Sequence, residues 1–256
     1  MECVPNKTLA VSITGRACSL NCEHCNRKYL EGMVPIEQME NKLEKGEYSS
    51  ILASGGCDSE GRVRLDLFSE QFIYAKKKHR IKIVAHTGLT DEGIIKKIST
   101  FADIVSFDFI WNDEAIAKVY GLNKRKEDFL NSLLLIIKHL PVVPHITIGL
   151  NYGKTGWEKE ALEILRENGF KKVVLNVIVP ARSTGFEKIP PPKIEEVVAV
   201  FRKAHASGFI VFAGCMRPGG KYRKELDEGI IPFVERIVNP DRSLYGGKIQ
   251  EECCIL

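Results

Sequence analysis

The sequence predicts an α/β protein folded as a single (β/α)8-type TIM barrel, complete or nearly complete. Short β-branched runs alternate with longer amphipathic stretches along the chain. Such alternation implies parallel pairing through right-handed crossovers. The length of 256 residues matches the roughly 250 typical of such a barrel.

Strands are expected near 8–14, 49–54, 81–86, 103–107, 142–149, 172–179, 209–213 and 236–238. Helices are expected near 36–45, 67–79, 91–100, 127–139, 157–168, 192–207 and 222–228. The eighth strand, after a short seventh helix, is the one that would close the barrel. Pro190, Pro191 and Pro192 are expected to open the sixth helix, where their fixed φ suits the first turn. No linker or low-complexity segment interrupts the pattern. Residues 1–256 therefore read as one barrel domain, with 239–256 as a C-terminal tail carrying Cys253 and Cys254.

Hydrophobic residues make up 44% of the chain, enough for a sizeable core. No apolar run approaches the ~18 residues of a membrane span. The start, MECVPNKTLA, lacks the charged and apolar regions of a signal peptide, so a cytoplasmic protein is expected, with no membrane association. The net charge is +4, with basic runs at 76–80, 124–126 and 221–224. These read as solvated faces or as a docking surface for an acidic carrier protein. None is interleaved with stacking aromatics, which argues against nucleic acid. Eight cysteines in a reducing compartment point to metal binding or catalysis rather than disulfides.

Barrel chemistry sits on the loops that follow the strands. CSLNCEHC follows the first strand, GGCD the second, His86-Thr87-Gly88 the third, Asp108 the fourth, Asn151 the fifth and GCMRPGG the seventh. Cys18, Cys22 and Cys25 have the spacing C-x3-C-x2-C. Thiolates suit iron–sulfur clusters, and three from one loop hold three irons of a 4Fe-4S cube, leaving the fourth open to a ligand. A structural zinc site wants a fourth local ligand, and none follows. Gly55 and Gly56 allow close backbone approach to a ligand or a positive φ, as any tight turn also would. Among the other cysteines, Cys3 reads as a small buried hydrophobe. Cys57 and Cys215 lie on barrel-top loops, and Cys253 and Cys254 on a tail able to fold over one end. Convergence of these four would make a second cluster site. The terminal Cys253-Cys254-Ile255-Leu256 also fits a prenylation signal, but the preceding GGKIQEE is not polybasic.

CSLNCEHC, after the first strand, resembles the motif of the radical S-adenosylmethionine (SAM) superfamily. The resemblance implies that SAM chelates the open iron and is reductively cleaved to a 5′-deoxyadenosyl radical. It implies that His24 lies near the adenine, unless it is a plain loop histidine, and that Gly55 and Gly56 meet the methionyl amino group. Thr147-Ile148-Gly149 would line the adenine. Asp108 and Asn151 would bond the ribose or methionyl groups, or serve as structural polar groups at strand ends. Arg217 is a candidate for holding a carboxylate of SAM or substrate, which its planar fork matches.

SGGCD, VAHTGL, SFDF, VVPHITIGL, GCMRPGG and EECC together are similar to biotin-synthase homologues that look like one component of two-component lipoyl synthases. This resemblance implies sulfur insertion into an octanoyl chain on a lipoyl carrier protein or octanoyl-lysine peptide. The sulfur would come from an auxiliary 4Fe-4S cluster on Cys57, Cys215, Cys253 and Cys254. A second radical SAM component and an electron donor such as ferredoxin would be partners. Single-protein lipoyl synthases place auxiliary cysteines ahead of the SAM motif. Only Cys3 stands there, which favours the two-component form. Two alternatives stay open: radical SAM chemistry without sulfur insertion, such as rearrangement or methyl transfer, and a non-catalytic iron–sulfur protein. A glycine pair that implies a SAM pocket argues against the second.

Overall fold

The computed structural model describes residues 1–244 and 246–256. Its strands are β1 (Glu2–Cys3), β2 (Thr8–Ser12), β3 (Val34–Pro35), β4 (Ser50–Ser54), β5 (Lys82–His86), β6 (Ile104–Asp108), β7 (Val142–Ile148), β8 (Lys172–Val177), β9 (Ile210–Ala213), β10 (Arg236–Val238) and β11 (Ile249–Gln250). The helices are α1 (Ile36–Lys45), α2 (Ser69–His79), α3 (Glu92–Ile98), α4 (Asp113–Lys118), α5 (Lys126–Ile136), α6 (Trp157–Glu167), α7 (Ile194–Ala206) and α8 (Gly220–Ile230). All eight expected strands and all seven expected helices are present. The additions are the two-residue strands β1, β3 and β11 and the short helix α4, which Asn112 caps through its Oδ1 and the Ala115 N–H (2.8 Å). Runs this short carry no readable period.

One parallel sheet contains all eleven strands, in the order β11-β1-β10-β9-β8-β7-β6-β5-β4-β2-β3. It curves as a half-barrel, and among the described residues it does not close. A complete (β/α)8 ring would pair β2 with β10, but β10 pairs with β1 and β2 pairs with β4. Residues 4–7 cross the gap between β1 and β2, and Pro5 among them has no N–H to extend a ladder. The tail bridges this seam instead. Lys7 N–H donates to the Glu251 carbonyl (2.9 Å), its ammonium meets the Glu251 carboxylate (2.6 Å), and Ser49 Oγ donates to Glu252 Oε1 (3.0 Å).

Strand alternation divides the interior into two cores. Ile83, Ala85, Val105, Phe107, Ile146, Ile148, Val173 and Leu175 face the helices. Their alternates Val84, Val143, Val174, Phe212 and Val238 face the concave side with Cys3, Cys254 and Ile255. The tail is thus part of the inner core. One step toward the strands' C-terminal ends, the concave face turns polar, with registered pairs Ser12–Ser54, His86–Ser106, Asp108–His145 and Thr147–Asn176.

The prolines behave otherwise than expected. Helix α7 starts only at Ile194. Pro192 instead packs on Gly149 and accepts a hydrogen bond from Tyr222 Oη (2.7 Å). The basic runs are largely paired on the surface: Lys76 with Asp103, Lys78 with Glu40 and Glu44, Lys124 with Glu60, and Lys221 with Glu225. Among the described residues, no helix is long and apolar enough to cross a membrane.

Candidate iron–sulfur and SAM site

The loop from Ile13 to Met33 carries Cys18, Cys22 and Cys25 over the C-terminal ends of the strands. Its partners are spread around the sheet. Glu23 N–H donates to Val119 O (2.8 Å), Gly185 N–H to Glu23 O (2.9 Å), Tyr152 Oη to Glu23 Oε2 (2.8 Å) and Asn26 Nδ2 to Ser183 O (3.0 Å). The turn after β4 docks against the same loop: Gly56 N–H donates to Thr14 Oγ1 (2.7 Å), Ser19 N–H to Cys57 O (2.8 Å) and Cys57 N–H to Cys18 Sγ (3.3 Å). Neither glycine of this turn has positive φ. The requirement is space. A Cβ on Gly55 would stand 2.7 Å from Ile13 Cγ1, and one on Gly56 would overlap the Ala17 carbonyl and stand 2.6 Å from Cys18 Cα. The close approach is therefore to the cysteine loop itself. Gly56→Ala should displace Cys18 and reduce reductive SAM cleavage by about 100-fold, as misplacements near 1 Å do. The check is 5′-deoxyadenosine formation by the variant, and an unchanged rate would contradict the packing argument.

The three thiols fit a cluster. The Cys57 thiol beside Cys18, with the Cys57 backbone N–H on Cys18 Sγ, lowers the Cys18 thiol below its ordinary value, in the direction of the thiolate that binds metal. Burial, then the negative charges of Cys25 and Cys18, pushes Cys22 up to about 12, and burial raises Cys25. Three close thiols that disfavour one another's ionisation would have that cost offset by a positively charged core. Among the described residues, no three His, Cys, Asp or Glu side chains converge as they would on a single ion. A cube asks for no such convergence, because each thiolate binds its own iron.

Below this loop, Asp108 is the hub of the concave face. Asp108 and His86 keep 38% and 31% of their side-chain surface accessible, yet protein surrounds them, so they line a hollow rather than the outer surface. His86 Nε2 lies 3.2 Å from Asp108 Oδ2 and His86 Nδ1 3.1 Å from Ser54 Oγ. Burial alone would raise the Asp108 carboxyl. The charge and hydrogen bond of His86, with the charges of His145 and His24, hold it at about 2. His145, in register with Asp108, is pushed down to about 4 by burial, and its Nε2 is buried without a partner. His86, His145 and Ser54 carried no role in the sequence reading. Their signal was a polar residue at inward positions of otherwise apolar strands.

The other cysteines regroup. Cys57 belongs with Cys18, because the Gly55-Gly56 turn folds back on the motif loop, and it does not join the tail thiols as expected. Cys3 takes its place. Cys253 and Cys254 are adjacent in the tail, and the Cys254 thiol lowers that of Cys253. Cys3, fully buried in β1, donates to the Glu252 carbonyl (3.0 Å). Burial, then the charge of Cys253, raises Cys3 to about 12, and the same two causes raise Cys215. Arg236 stands in this corner, bonding the Cys254 carbonyl and lying 5.2 Å over the Phe212 ring, and its charge lowers the Cys3 and Cys253 thiols. Asn176 Oδ1 accepts from Met216 N–H (3.3 Å) and so fixes the turn that carries Cys215.

Four further candidates are placed by packing. His24 is buried, with ring centroids of Tyr120 at 5.0 Å and of Tyr29 and Phe186 at 6.2 Å, and burial lowers it to about 4. Its Nδ1 has no partner. Gly149 has φ +80°, and a Cβ there would overlap Pro192 Cγ. Its N–H donates to the buried Glu158 (2.9 Å). Asn151 is buried, its Nδ2 donating to Glu114 Oε2 (3.0 Å) while Oδ1 is free of partners. Arg217 is not available to a ligand carboxylate. Its side chain is wholly buried against Asp227 (Nε–Oδ1 2.9 Å) and also donates to Val238 O (2.8 Å) and Gly214 O. Two outer clefts, of about 310 and 280 Å³, touch none of these residues.

The fold is shared with solved enzyme structures. Methylornithine synthase (PylB) matches with a TM-score of 0.62 at 14% identity, over 94% of this chain and 74% of that one. SuiB of Streptococcus suis bound to S-adenosylmethionine matches with a TM-score of 0.57 at 14% identity, over 84% of this chain and 50% of that one. Native anSMEcpe with bound AdoMet and Cp18Cys peptide gives 0.56 at 13%, over 80% and 59%. The chain spans between half and three-fifths of the last two. At these identities, the likeness is one of fold. No protein-family model and no curated protein matches the chain.

Proposed function

We propose that this protein is a radical SAM enzyme that inserts sulfur into an unactivated C–H position, with an octanoyl chain on a lipoyl carrier protein as the substrate. The observation that carries the reading is the presence of two separate thiol groups on the concave side of one sheet. Cys18, Cys22 and Cys25 stand at its rim, and Cys3, Cys215, Cys253 and Cys254 in the corner where β1, β9 and the tail meet. Two proteins of the same half-barrel fold were solved with SAM bound, which supports SAM as the co-substrate.

When bound on Cys18, Cys22 and Cys25, a 4Fe-4S cluster supplies the electron that cleaves SAM, and an auxiliary cluster on the second group supplies sulfur. The chain's own residues do the rest. Cys57 lowers the Cys18 thiol, the Gly55-Gly56 turn holds its loop, and the Ser54–His86–Asp108 relay presents a fixed carboxylate to the hollow. Arg236 offsets negative charge beside Cys3 and Cys253. A second radical SAM component and a ferredoxin-type electron donor complete the proposed system.

The test is mass spectrometry of an octanoylated carrier peptide after anaerobic incubation with SAM and reductant, with and without the second component. Gain of sulfur is expected, one atom at most from this protein alone. Vigorous SAM cleavage without sulfur gain in either mixture rules out the lipoyl reading. That outcome would favour the second reading, radical SAM chemistry without sulfur transfer. The polar row Ser54–His86–Asp108–His145 gives this reading its own support, since it suits a polar substrate.

A further inference from the structure

Several cations above the strand ends are paired: Lys118 with Glu114, Lys124 with Glu60, Arg125 with Asp113 and Lys126 with Glu160. Those beside the third cysteine of the motif are not. Arg27 and Arg182 are exposed and Lys28 half-buried, and none of the three forms an ion pair among the described residues. The turn that carries Arg27 and Lys28 is tied to the cysteines by Asn26 N–H on Cys22 O (2.9 Å) and Lys28 N–H on Cys25 O (2.9 Å). Asn26 Nδ2 then donates to Ser183 O (3.0 Å), which brings Arg182 alongside. Asn26, Arg27 and Ser183 hold positive φ (42°, 64° and 59°), which is uncommon outside glycine and persists only where the surroundings enforce it. Tyr29, in the same turn, is 40% exposed. The acids of these two segments are Glu23, Glu31 and Glu187. Two of them are engaged, Glu23 by Tyr152 Oη (2.8 Å) and Glu187 by Ser183 N–H (2.9 Å). Positive charge and one aromatic ring are thus held in a fixed shape beside Cys25, which is itself partly exposed.

We infer that Arg27, Lys28, Tyr29 and Arg182 form the docking face for an acidic ferredoxin that reduces the cluster on Cys18, Cys22 and Cys25. The inference rests on the cluster reading of these three thiols and is independent of sulfur insertion. In the step, one electron leaves the donor's reduced iron–sulfur group and enters the enzyme's cluster. No bond forms or breaks, and no proton moves. Complementary charge speeds such an encounter and fixes its orientation. Arg and Tyr side chains are frequent anchors of an interface. The basic runs at 76–80 and 124–126 offer less, because acids already offset Lys76, Lys78, Lys124 and Lys126. An acidic acyl carrier protein is the competing occupant, and the test separates the two.

The double variant Lys28→Glu, Arg182→Glu is compared with wild type and with the neutral pair Lys28→Gln, Arg182→Gln. The control is Lys77→Glu, which reverses an exposed, unpaired lysine on α2. The reconstituted proteins are titrated with an acidic two-cluster bacterial ferredoxin by calorimetry. Formation of 5′-deoxyadenosine is then followed with that ferredoxin kept reduced, and separately with reduced methyl viologen, a small cation that needs no basic face. Iron content reports loading. The charge-reversed pair should weaken ferredoxin binding and slow the ferredoxin-driven reaction by roughly 10-fold or more at low salt. The neutral pair should lose less, and high salt should narrow the gap. Cleavage driven by methyl viologen and iron content should hold, and Lys77→Glu should change none of these. Wild-type affinity in the charge-reversed pair, or an equal loss in Lys77→Glu, overturns the docking face. So does a loss with both reductants, which would place these side chains in the cluster site itself. So does weaker binding of an acidic acyl carrier protein with ferredoxin binding unchanged, which would give the face to the carrier. A wild type that cleaves SAM with methyl viologen but neither binds nor uses ferredoxin overturns the face and leaves the cluster reading standing. No cleavage with either reductant brings down both.

Discussion

Alanine in place of Cys18, Cys22 or Cys25 should bring 5′-deoxyadenosine formation to background under anaerobic, reducing conditions. In the proposed cluster each thiolate would bind a separate iron, so no neighbour would replace it. The alternative beside Cys18 is the Cys57 thiol, whose backbone N–H donates to Cys18 Sγ (3.3 Å). It has a different role, because it lowers the Cys18 thiol while Cys18 and burial push its own thiol up. Cys57→Ala keeps the backbone N–H on Cys18 Sγ but removes the thiol that lowers Cys18, so it should slow SAM cleavage by about 10-fold at most, without abolishing it. If a single replacement among the three left cleavage at the wild-type rate, the assignment would fail. If Cys57→Ala were as severe as Cys18→Ala, Cys57 would have to be counted among the ligands.

The second large effect is on metal content. Anaerobic reconstitution should give about eight irons and eight sulfides per chain, four of each per cluster. The Cys18, Cys22 and Cys25 triple alanine variant should keep about half, held by the Cys3, Cys215, Cys253 and Cys254 group. The Cys253→Ala, Cys254→Ala double variant should also keep about half, still cleave SAM, and transfer no sulfur. The two variants are complementary because the thiol groups share no residue. A triple variant with no iron at all would mean that the tail thiols form no site of their own. Full iron after loss of both tail cysteines would mean the same.

Much of this was legible beforehand because parallel strands buried on both faces write themselves as apolar runs, and the seven helices between them have a clear period. The C-x3-C-x2-C spacing is local, so it could be read directly that these three thiols share one loop over the strand ends. What could not be read is whatever depends on closure. Glu2–Cys3 is two residues long and becomes a strand only through β10 and β11, at the far end of the sequence. Cys3 therefore read as an inert hydrophobe, and Cys57 was grouped by loop position rather than by the turn that folds it onto Cys18. Arg217 was misjudged for a related reason: its partner Asp227 lies on the next helix, and spacing alone does not reveal a buried pair. The Ser54–His86–Asp108 relay spans three strands, and only register brings such residues side by side.

The seam between β1 and β2 has a consequence for how the molecule assembles. From β4 to β9 each strand pairs with its successor in the sequence, so those contacts form over short loops. The pair Glu2–Ile237 ties together positions almost a whole chain apart, and Glu2–Ile249 more so. Long loops cost more entropy to close and are slow to find one another. The continuous strands can form first as an open, curved sheet that already presents Cys18, Cys22 and Cys25. The corner that unites Cys3 with Cys253 and Cys254 waits for the two ends of the polypeptide to meet. The two thiol sites thus mature in sequence, the rim as a product of local folding and the corner as a product of completion.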